Sequence, residues 1–125
     1  SWGGAFGLDD VPLIRISEMY LNRAEASAHM KNYIQARNDI NALRNIRGLD
    51  DTDVANSELI NEILLQRRIE LAFEGHRFFD MKRLGLPISR PNGLPEIPYA
   101  DYRVVAPIGA TEMDVNKKLV NNPGY

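Results

Sequence analysis

Cysteine is absent from this chain of 125 residues, and histidine occurs only twice, at His29 and His76. The lack of cysteine excludes a disulfide framework, a thiolate metal site and a cysteine nucleophile. The two histidines do not have the spacing of a known catalytic or metal-binding motif. We therefore expect neither a metal nor a cofactor.

Long hydrophobic runs and a strong charge imbalance are also missing. No apolar run approaches the roughly 20 residues that a membrane-spanning helix requires. The formal net charge of −2 gives no electrostatic argument for binding nucleic acid. A hydrophobic content of 44% suits a globular core, and 125 residues correspond to at most one domain. Because position 1 is Ser1 rather than an initiator methionine, we interpret the chain as a piece of a longer protein.

What the sequence does contain is a strong helical period. Apolar and small residues recur at helical spacing from Leu13 onwards, which predicts a first helix that continues to a break near Lys31. A second helix is predicted from Tyr33 to Arg47, where Gly48 ends it. Small residues on both helices allow a close approach, as in one tetratricopeptide-type unit of about 34 residues. A single unit cannot bury its own face, so further packed helices are required.

A third helix is predicted to run up to Phe73, followed by a corner at Glu74 and Gly75 and a shorter helix from His76 to Leu84. Gly75 can adopt the left-handed conformation that reverses the chain after a helix. We expect the third helix to bury its broad apolar side against the helix pair. That side consists of Ile60, Leu64, Leu65, Ile69, Ala72 and Phe73.

Proline sets the character of the remaining chain, since the prolines from Pro87 to Pro107 exclude a long helix. Within this part, residues 102–105 are predicted as a short strand and residues 110–119 as one helical turn capped by Thr111. We predict an all-α fold, with a tetratricopeptide-like helix pair, further packed helices and an irregular proline-rich C-terminal tail. Its parts are a loop (residues 1–12), a helical body (residues 13–85) and a wrapping tail (residues 86–125).

The most highly charged stretch of the sequence combines several arginines with two carboxylates, Glu70 and Glu74. One interpretation makes these carboxylates a general acid and base, as in glycoside hydrolysis. The other makes them counter-ions of Arg67, Arg68 and Arg77, which would lower both carboxyl pKa values, whereas a general acid requires a raised pKa. We favour this second, structural interpretation, in which a charge network holds the helices together. The residues assigned to the network are Arg15, Glu25, Arg68, Glu70, Glu74, Arg77, Asp80 and Arg83.

Four stretches of the sequence resemble the C-terminal part of the SusD/RagB family, the nutrient-binding lipoproteins of Bacteroidetes outer membranes. Residues 13–26 resemble the family's arginine-containing helix that ends in Ala-Glu-Ala, and residues 36–47 resemble the helix that follows. Residues 66–83, with their Glu-Leu and Glu-Gly-x-Arg elements, resemble the family's most recognisable run. Residues 122–125 resemble the family terminus.

The resemblance implies a scaffold of tetratricopeptide-like helix pairs on the extracellular face of the outer membrane, anchored by a lipid outside this sequence. It implies no catalysis. It also implies binding of an oligosaccharide or other nutrient, with a SusC-like TonB-dependent transporter as the partner. It does not identify the nutrient, because the ligand residues vary within the family.

Aromatic residues outside the predicted helical body are the candidate ligand contacts, because a flat ring suits the face of a sugar. These residues are Trp2, Tyr99 and Tyr102. Packing of these side chains against the protein itself is the alternative that we favour. A different function for the whole chain, a tetratricopeptide-like protein-interaction module, would be indicated by further copies of the Leu13–Arg47 pattern.

Overall fold

The computed structural model describes residues 14–90 and 92–125 of the chain. Within these residues it contains five α-helices and no β-strand, so the predicted all-α fold is confirmed. The helices are Ile16–His29 (α1), Tyr33–Ile46 (α2), Leu59–Glu70 (α3), His76–Arg83 (α4) and Ala110–Val115 (α5). They belong to two compact units, a first unit that ends at Phe73 and a second unit, Glu74–Tyr125. No helix in the described residues has the length and apolar character needed to cross a membrane.

The helix pair predicted from the sequence is formed by α1 and α2. The side chain of Asn32 accepts a hydrogen bond from the backbone N–H of Gln35 at 3.3 Å, which caps the start of α2. Ala24 of α1 and Ala36 of α2 are fully buried in one cluster of apolar side chains. Because alanine carries only a methyl group, the two helix backbones approach closely at this contact.

Two clusters of buried side chains join α3 to the helix pair. Leu59 and Ile63 of α3 belong to the cluster that contains the buried alanines. Leu71, which follows α3, packs with Leu21 and Leu43 in the second cluster. Burying one such side chain contributes about 1.5–3 kcal/mol, so these clusters dominate the stability of the first unit.

The side of α3 that was predicted to be buried is only partly so: Ile60 packs against the cluster of buried alanines and Leu64 is half-buried, but the rest of that side is exposed. Leu65 and Ile69 are exposed, and Phe73 is fully exposed. The buried residues of α3 are Leu59, Ile63 and Arg67, one every four positions. Residues four apart share a helix face. Arg67 lies on the buried face, although a prediction from apolar residues alone places an arginine on the exposed face. In addition, α3 ends at Glu70, so Phe73 does not continue its face.

The predicted left-handed glycine at the corner is confirmed, although the helix ends earlier than expected. Gly75 has φ +82° and immediately precedes α4. Phe73 also has a positive φ, +66°. A left-handed conformation costs a residue with a side chain roughly 1–2 kcal/mol, which explains why glycine suits the corner.

The strand predicted for residues 102–105 is wrong, because Tyr102–Val104 forms a 3₁₀-helical turn. The Asp101 carboxylate accepts a hydrogen bond from the backbone N–H of Arg103 at 3.0 Å and caps this turn. Such a local side-chain bond to the backbone competes with the pairing of a strand. The capping bond of Asp101 therefore favours a turn at residues that strand propensity alone predicts as a strand.

The end of the chain is irregular apart from α5. This helix begins after Gly109 and not with Thr111 as its cap. Asn121 accepts a hydrogen bond from the backbone N–H of Ile108 at 2.8 Å, and the Asn122 side chain donates to the carbonyl of Ala106 at 2.5 Å. These bonds fix the path of the tail without regular secondary structure.

Candidate functional site

Glu70, the last residue of α3, is a carboxylate that two arginines contact. Arg47, immediately after α2, donates to its two carboxylate oxygens at 2.6 and 3.0 Å. Arg15, immediately before α1, donates from Nη2 to Oε1 at 2.8 Å. Because the two arginines flank different helices, one carboxylate connects α1, α2 and α3. We call these three residues the Glu70 cluster.

The electrostatics of the Glu70 cluster oppose acid catalysis. Hydrogen bonding by Arg47 is the largest cause that lowers the pKa of the Glu70 carboxyl below its ordinary value, while burial acts in the opposite direction. The charge of Arg47, a hydrogen bond with Ser17 and the charge of Arg15 lower that pKa further. A general acid requires a raised pKa, so the geometry favours a structural role for this carboxylate.

Two further ion pairs connect the same three helices. Asp39 of α2, with only 2% of its side chain exposed, accepts hydrogen bonds from Arg23 of α1 at 2.6 and 2.8 Å. Arg44 of α2 donates to Glu62 of α3 at 2.9 Å. Planar guanidinium groups suit such paired contacts with carboxylates. The ion pairs therefore hold the helices in a defined register on top of the apolar clusters.

The sequence analysis did not identify most of these arginine partners. The pairs join residues that are 16, 18 and 23 positions apart in the chain. No helical i, i+4 rule relates residues so far apart. The one feature of the sequence that could have indicated such a pair is Asp39, an acidic residue directly beside the apolar Ile40, which is buried on α2.

The structure distributes the predicted charge network over both units. In the first unit Arg15 contacts Glu70, and the buried Glu25 lies 3.9 Å from His29. Arg67, expected to be a counter-ion of Glu70 and Glu74, donates to Asn22 at 2.7 Å and lies 3.8 Å from the carboxylate of Glu18.

In the second unit Asp80 contacts Arg83 at 2.9 Å within α4. The other predicted members, Arg68, Glu74 and Arg77, occupy exposed positions. Glu70 pairs with Arg15, which was predicted as a member of the network, and with Arg47, which was not.

The second unit contains an open groove with a volume of about 350 Å³. Residues that line it include Lys82, Tyr99, Asp101, Tyr102, Asn122 and Pro123, and we call it the tail groove. Its volume is at the low end of the roughly 300–1,000 Å³ of small-molecule sites, and its lining is mainly apolar. Two of the three predicted ligand residues, Tyr99 and Tyr102, therefore lie in one groove, whereas Trp2 lies outside the described residues.

Tyr102 is held in place by the end of the chain. Its ring meets the ring of Tyr125 edge to face, with 5.1 Å between the centroids. A Cβ atom on Gly124 would lie 2.6 Å from Cγ of Tyr102, so this contact requires glycine. Tyr102 remains 48% exposed and Tyr99 52% exposed. Each tyrosine therefore combines packing against the protein with surface that a ligand can contact.

The acidic group of the tail groove is already paired. Arg103 donates to both carboxylate oxygens of Asp101 at 2.7 and 2.8 Å. Side-chain hydrogen bonding by Arg103 is the main reason that the pKa of Asp101 is lowered to about 2. The charge of Asp101 is therefore balanced by a neighbouring cation, and the groove does not present a free carboxylate.

By its fold the chain is a tetratricopeptide-like helical protein, in which α3 completes the pair formed by α1 and α2. The chain belongs to the SusD family, whose model matches residues 1–89. The family resemblance of the sequence is thereby confirmed. Members of this family are outer-membrane lipoproteins.

Individual relatives agree with this assignment. SusD-like protein P2 of Formosa agariphila is 44% identical over 73 residues, which cover 54% of this chain. A SusD superfamily protein from Bacteroides vulgatus is 32% identical over 96% of this chain, with a TM-score of 0.77. A SusD-like carbohydrate-binding protein, also from Bacteroides vulgatus, is 27% identical over 87% of this chain, with a TM-score of 0.67.

The present chain spans only part of the length of these relatives. It covers 14% of the Formosa agariphila protein. It covers 30% and 29% of the two Bacteroides vulgatus chains. The similarity therefore concerns one segment of a larger protein in each case.

Proposed function

We propose that this chain is the C-terminal segment of a cell-surface protein that binds a nutrient glycan without catalysing a reaction. Membership of the SusD family is the observation that carries this proposal. A similar structure from Bacteroides vulgatus is described as a SusD-like carbohydrate-binding protein, which supports a glycan as the ligand. In this proposal a lipid outside the sequence attaches the protein to the extracellular face of the outer membrane, and the partner is a SusC-like TonB-dependent transporter.

The tail groove is the part of the chain that we assign to glycan contact. Binding sites for small molecules combine an apolar, often aromatic lining with a few polar groups. Tyr99 and Tyr102 supply half-exposed rings, and Asn122 also lines the groove. Rings suit the apolar faces of a sugar, while polar groups around them suit its hydroxyls.

The absence of catalysis in this proposal rests on the Glu70 cluster. Arg15 and Arg47 keep the Glu70 carboxylate charged and hydrogen-bonded. Such a group holds helices together but does not deliver a proton to a glycosidic oxygen. The proposal therefore assigns Glu70 to the scaffold.

An amide NMR titration of the 125-residue chain with a panel of neutral and acidic oligosaccharides tests the proposal. We expect a binding oligosaccharide to shift the amide signals around Tyr99 and Tyr102. Replacing Tyr99 by alanine should weaken binding about five- to tenfold, the loss that removal of one aromatic contact of about 1–1.5 kcal/mol produces. The matched control is Phe79→Ala, which removes an exposed ring that does not line the groove.

The titration has two outcomes that contradict the assignment of the groove. Shifts confined to the first unit would place glycan contact away from Tyr99. Equal weakening by Tyr99→Ala and Phe79→Ala would show that loss of any exposed ring, and not of a groove residue, reduces binding.

A further inference from the structure

Lys82 places a positively charged group in the lining of the tail groove. This lysine, on α4, is half-buried and lines the groove together with Tyr99 and Tyr102. Within residues 14–90 and 92–125, no carboxylate forms an ion pair with its ammonium group. A cationic group at the edge of a mainly apolar groove loses part of its hydration without gaining a counter-ion.

Two aspartates close to Lys82, one on its own helix and one in the groove lining, are paired with arginines. Asp80, on the same helix, contacts Arg83 at 2.9 Å. Asp101, which lines the same groove, accepts both of its side-chain bonds from Arg103. The groove therefore carries one cation, Lys82, with which the acidic residue of its lining, Asp101, forms no ion pair.

We propose that the tail groove binds sugars that carry a carboxylate, with Lys82 contacting the carboxylate and the two tyrosines contacting the ring. This inference rests on the proposed function and specifies its substrate class as uronic-acid glycans. The volume of about 350 Å³ suits a short end of a glycan better than a long stretch of chain. The carboxylate of the ligand gives Lys82 the partner that Asp101, already paired with Arg103, does not provide. Binding therefore forms a charge-assisted hydrogen bond at a partly buried ammonium group.

A lysine suits this role because its ammonium is a compact charge on a flexible stem. The stem can lie along the apolar lining while the charged end reaches the ligand. A neutral sugar offers hydroxyl groups to the same ammonium, and these give a weaker hydrogen bond than a carboxylate does.

Isothermal titration of the 125-residue chain at neutral pH with two matched ligands tests the inference. The ligands are a galacturonic acid trisaccharide and the neutral trisaccharide obtained by reducing its carboxylates. We expect the acidic ligand to bind about five- to tenfold more tightly, as expected for one partly exposed charge-assisted contact. Raising the salt concentration should reduce this difference.

Variants of Lys82 assign the difference to one side chain. Lys82→Met keeps most of the stem and removes the charge, so it should abolish the preference for the acidic ligand. Lys82→Arg keeps the charge and should retain the preference. Lys118→Met removes an equal charge from an exposed position outside the groove, and it should leave both affinities unchanged.

Each result separates this inference from the proposed function. Equal binding of both trisaccharides, with loss on Tyr99→Ala, would overturn the preference for acidic sugars and keep the glycan groove. A preference that survives Lys82→Met would also overturn the inference. If neither trisaccharide nor any member of the wider oligosaccharide panel bound the chain, the assignment of the groove to glycan binding would itself be overturned.

Discussion

Replacing Glu70 by alanine tests whether the Glu70 cluster holds the first unit together. The substitution removes the carboxylate that Arg47 contacts at 2.6 and 3.0 Å and that Arg15 contacts at 2.8 Å. The Glu70 side chain is 11% exposed, whereas those of Arg15 and Arg47 are 39% and 54% exposed. The carboxylate is thus nearly buried, but both of its partners reach water.

The loss of unfolding free energy expected for Glu70→Ala lies between two limits. Removing one partner of a fully buried pair costs about 3–5 kcal/mol, because the other charge stays buried and unpaired. An exposed pair contributes only about 0.2–1 kcal/mol. Since solvent can hydrate both arginines after the change, we expect Glu70→Ala to lower the free energy of unfolding by about 2 kcal/mol. With a urea slope of about 2 kcal/mol/M, the denaturation midpoint falls by about 1 M.

The pH dependence of the same equilibrium identifies the charge as the cause. Arg47 lowers the pKa of Glu70 in the folded chain, so the unfolded chain takes up this proton more readily. The contribution of Glu70 is therefore complete above the ordinary glutamate pKa of about 4.3 and is lost as the pH falls through the lower folded value. The stability difference between the native chain and Glu70→Gln should therefore stay constant from neutral pH down to about 4.3 and shrink as the pH is lowered further.

Urea denaturation followed by circular dichroism measures both effects. The control is Asp53→Asn, which removes a negative charge at an exposed loop position that forms no ion pair within the described residues. Its midpoint should remain close to that of the native chain. A midpoint of Glu70→Ala equal to that of the control, or a deficit of Glu70→Gln that does not change with pH, would refute the argument.

Two glycines give further predictions. Gly75→Ala should lower the free energy of unfolding by roughly 1–2 kcal/mol in thermal melts, because φ +82° disfavours a side chain; an unchanged melting temperature would contradict this. Gly124→Ala should alter the near-ultraviolet circular dichroism and weaken glycan binding, because its Cβ would lie 2.6 Å from Cγ of Tyr102. Gly109→Ala, with open space around the added atom, is the control and should leave both signals unchanged.

The elements that the sequence predicts well are those set by local rules. Helical periodicity located α1 and α2 to within a few residues, with starts predicted at Leu13 and Tyr33 and observed at Ile16 and Tyr33. Gly75 was identified because few other residues adopt the left-handed corner. These features depend on the chain within a few positions and therefore leave a clear pattern in it.

The features that were missed depend on residues distant in the sequence. The buried face of α3 includes Arg67, which is tolerated there because Asn22 of α1 accepts a hydrogen bond from it at 2.7 Å and the Glu18 carboxylate of α1 lies 3.8 Å away. The spacing of apolar residues along α3 cannot reveal Asn22, because it lies 45 positions away in the sequence. The tail groove likewise depends on contacts of Tyr102 with Gly124 and Tyr125, which follow only from the folded path of the tail.

Charged residues have different roles in the two units: in the first they stabilise the fold, and in the second we assign one of them to ligand binding. In the first unit, Asp39 and Glu70 are each paired with arginine, so their hydrogen-bonding capacity is already used within the protein. In the second unit, Lys82 lines a groove and has no ion pair within the described residues. Glu70→Ala should therefore lower stability at unchanged ligand preference, while Lys82→Met should change ligand preference at unchanged stability. If both variants altered the same property, charge would not divide the chain in this way.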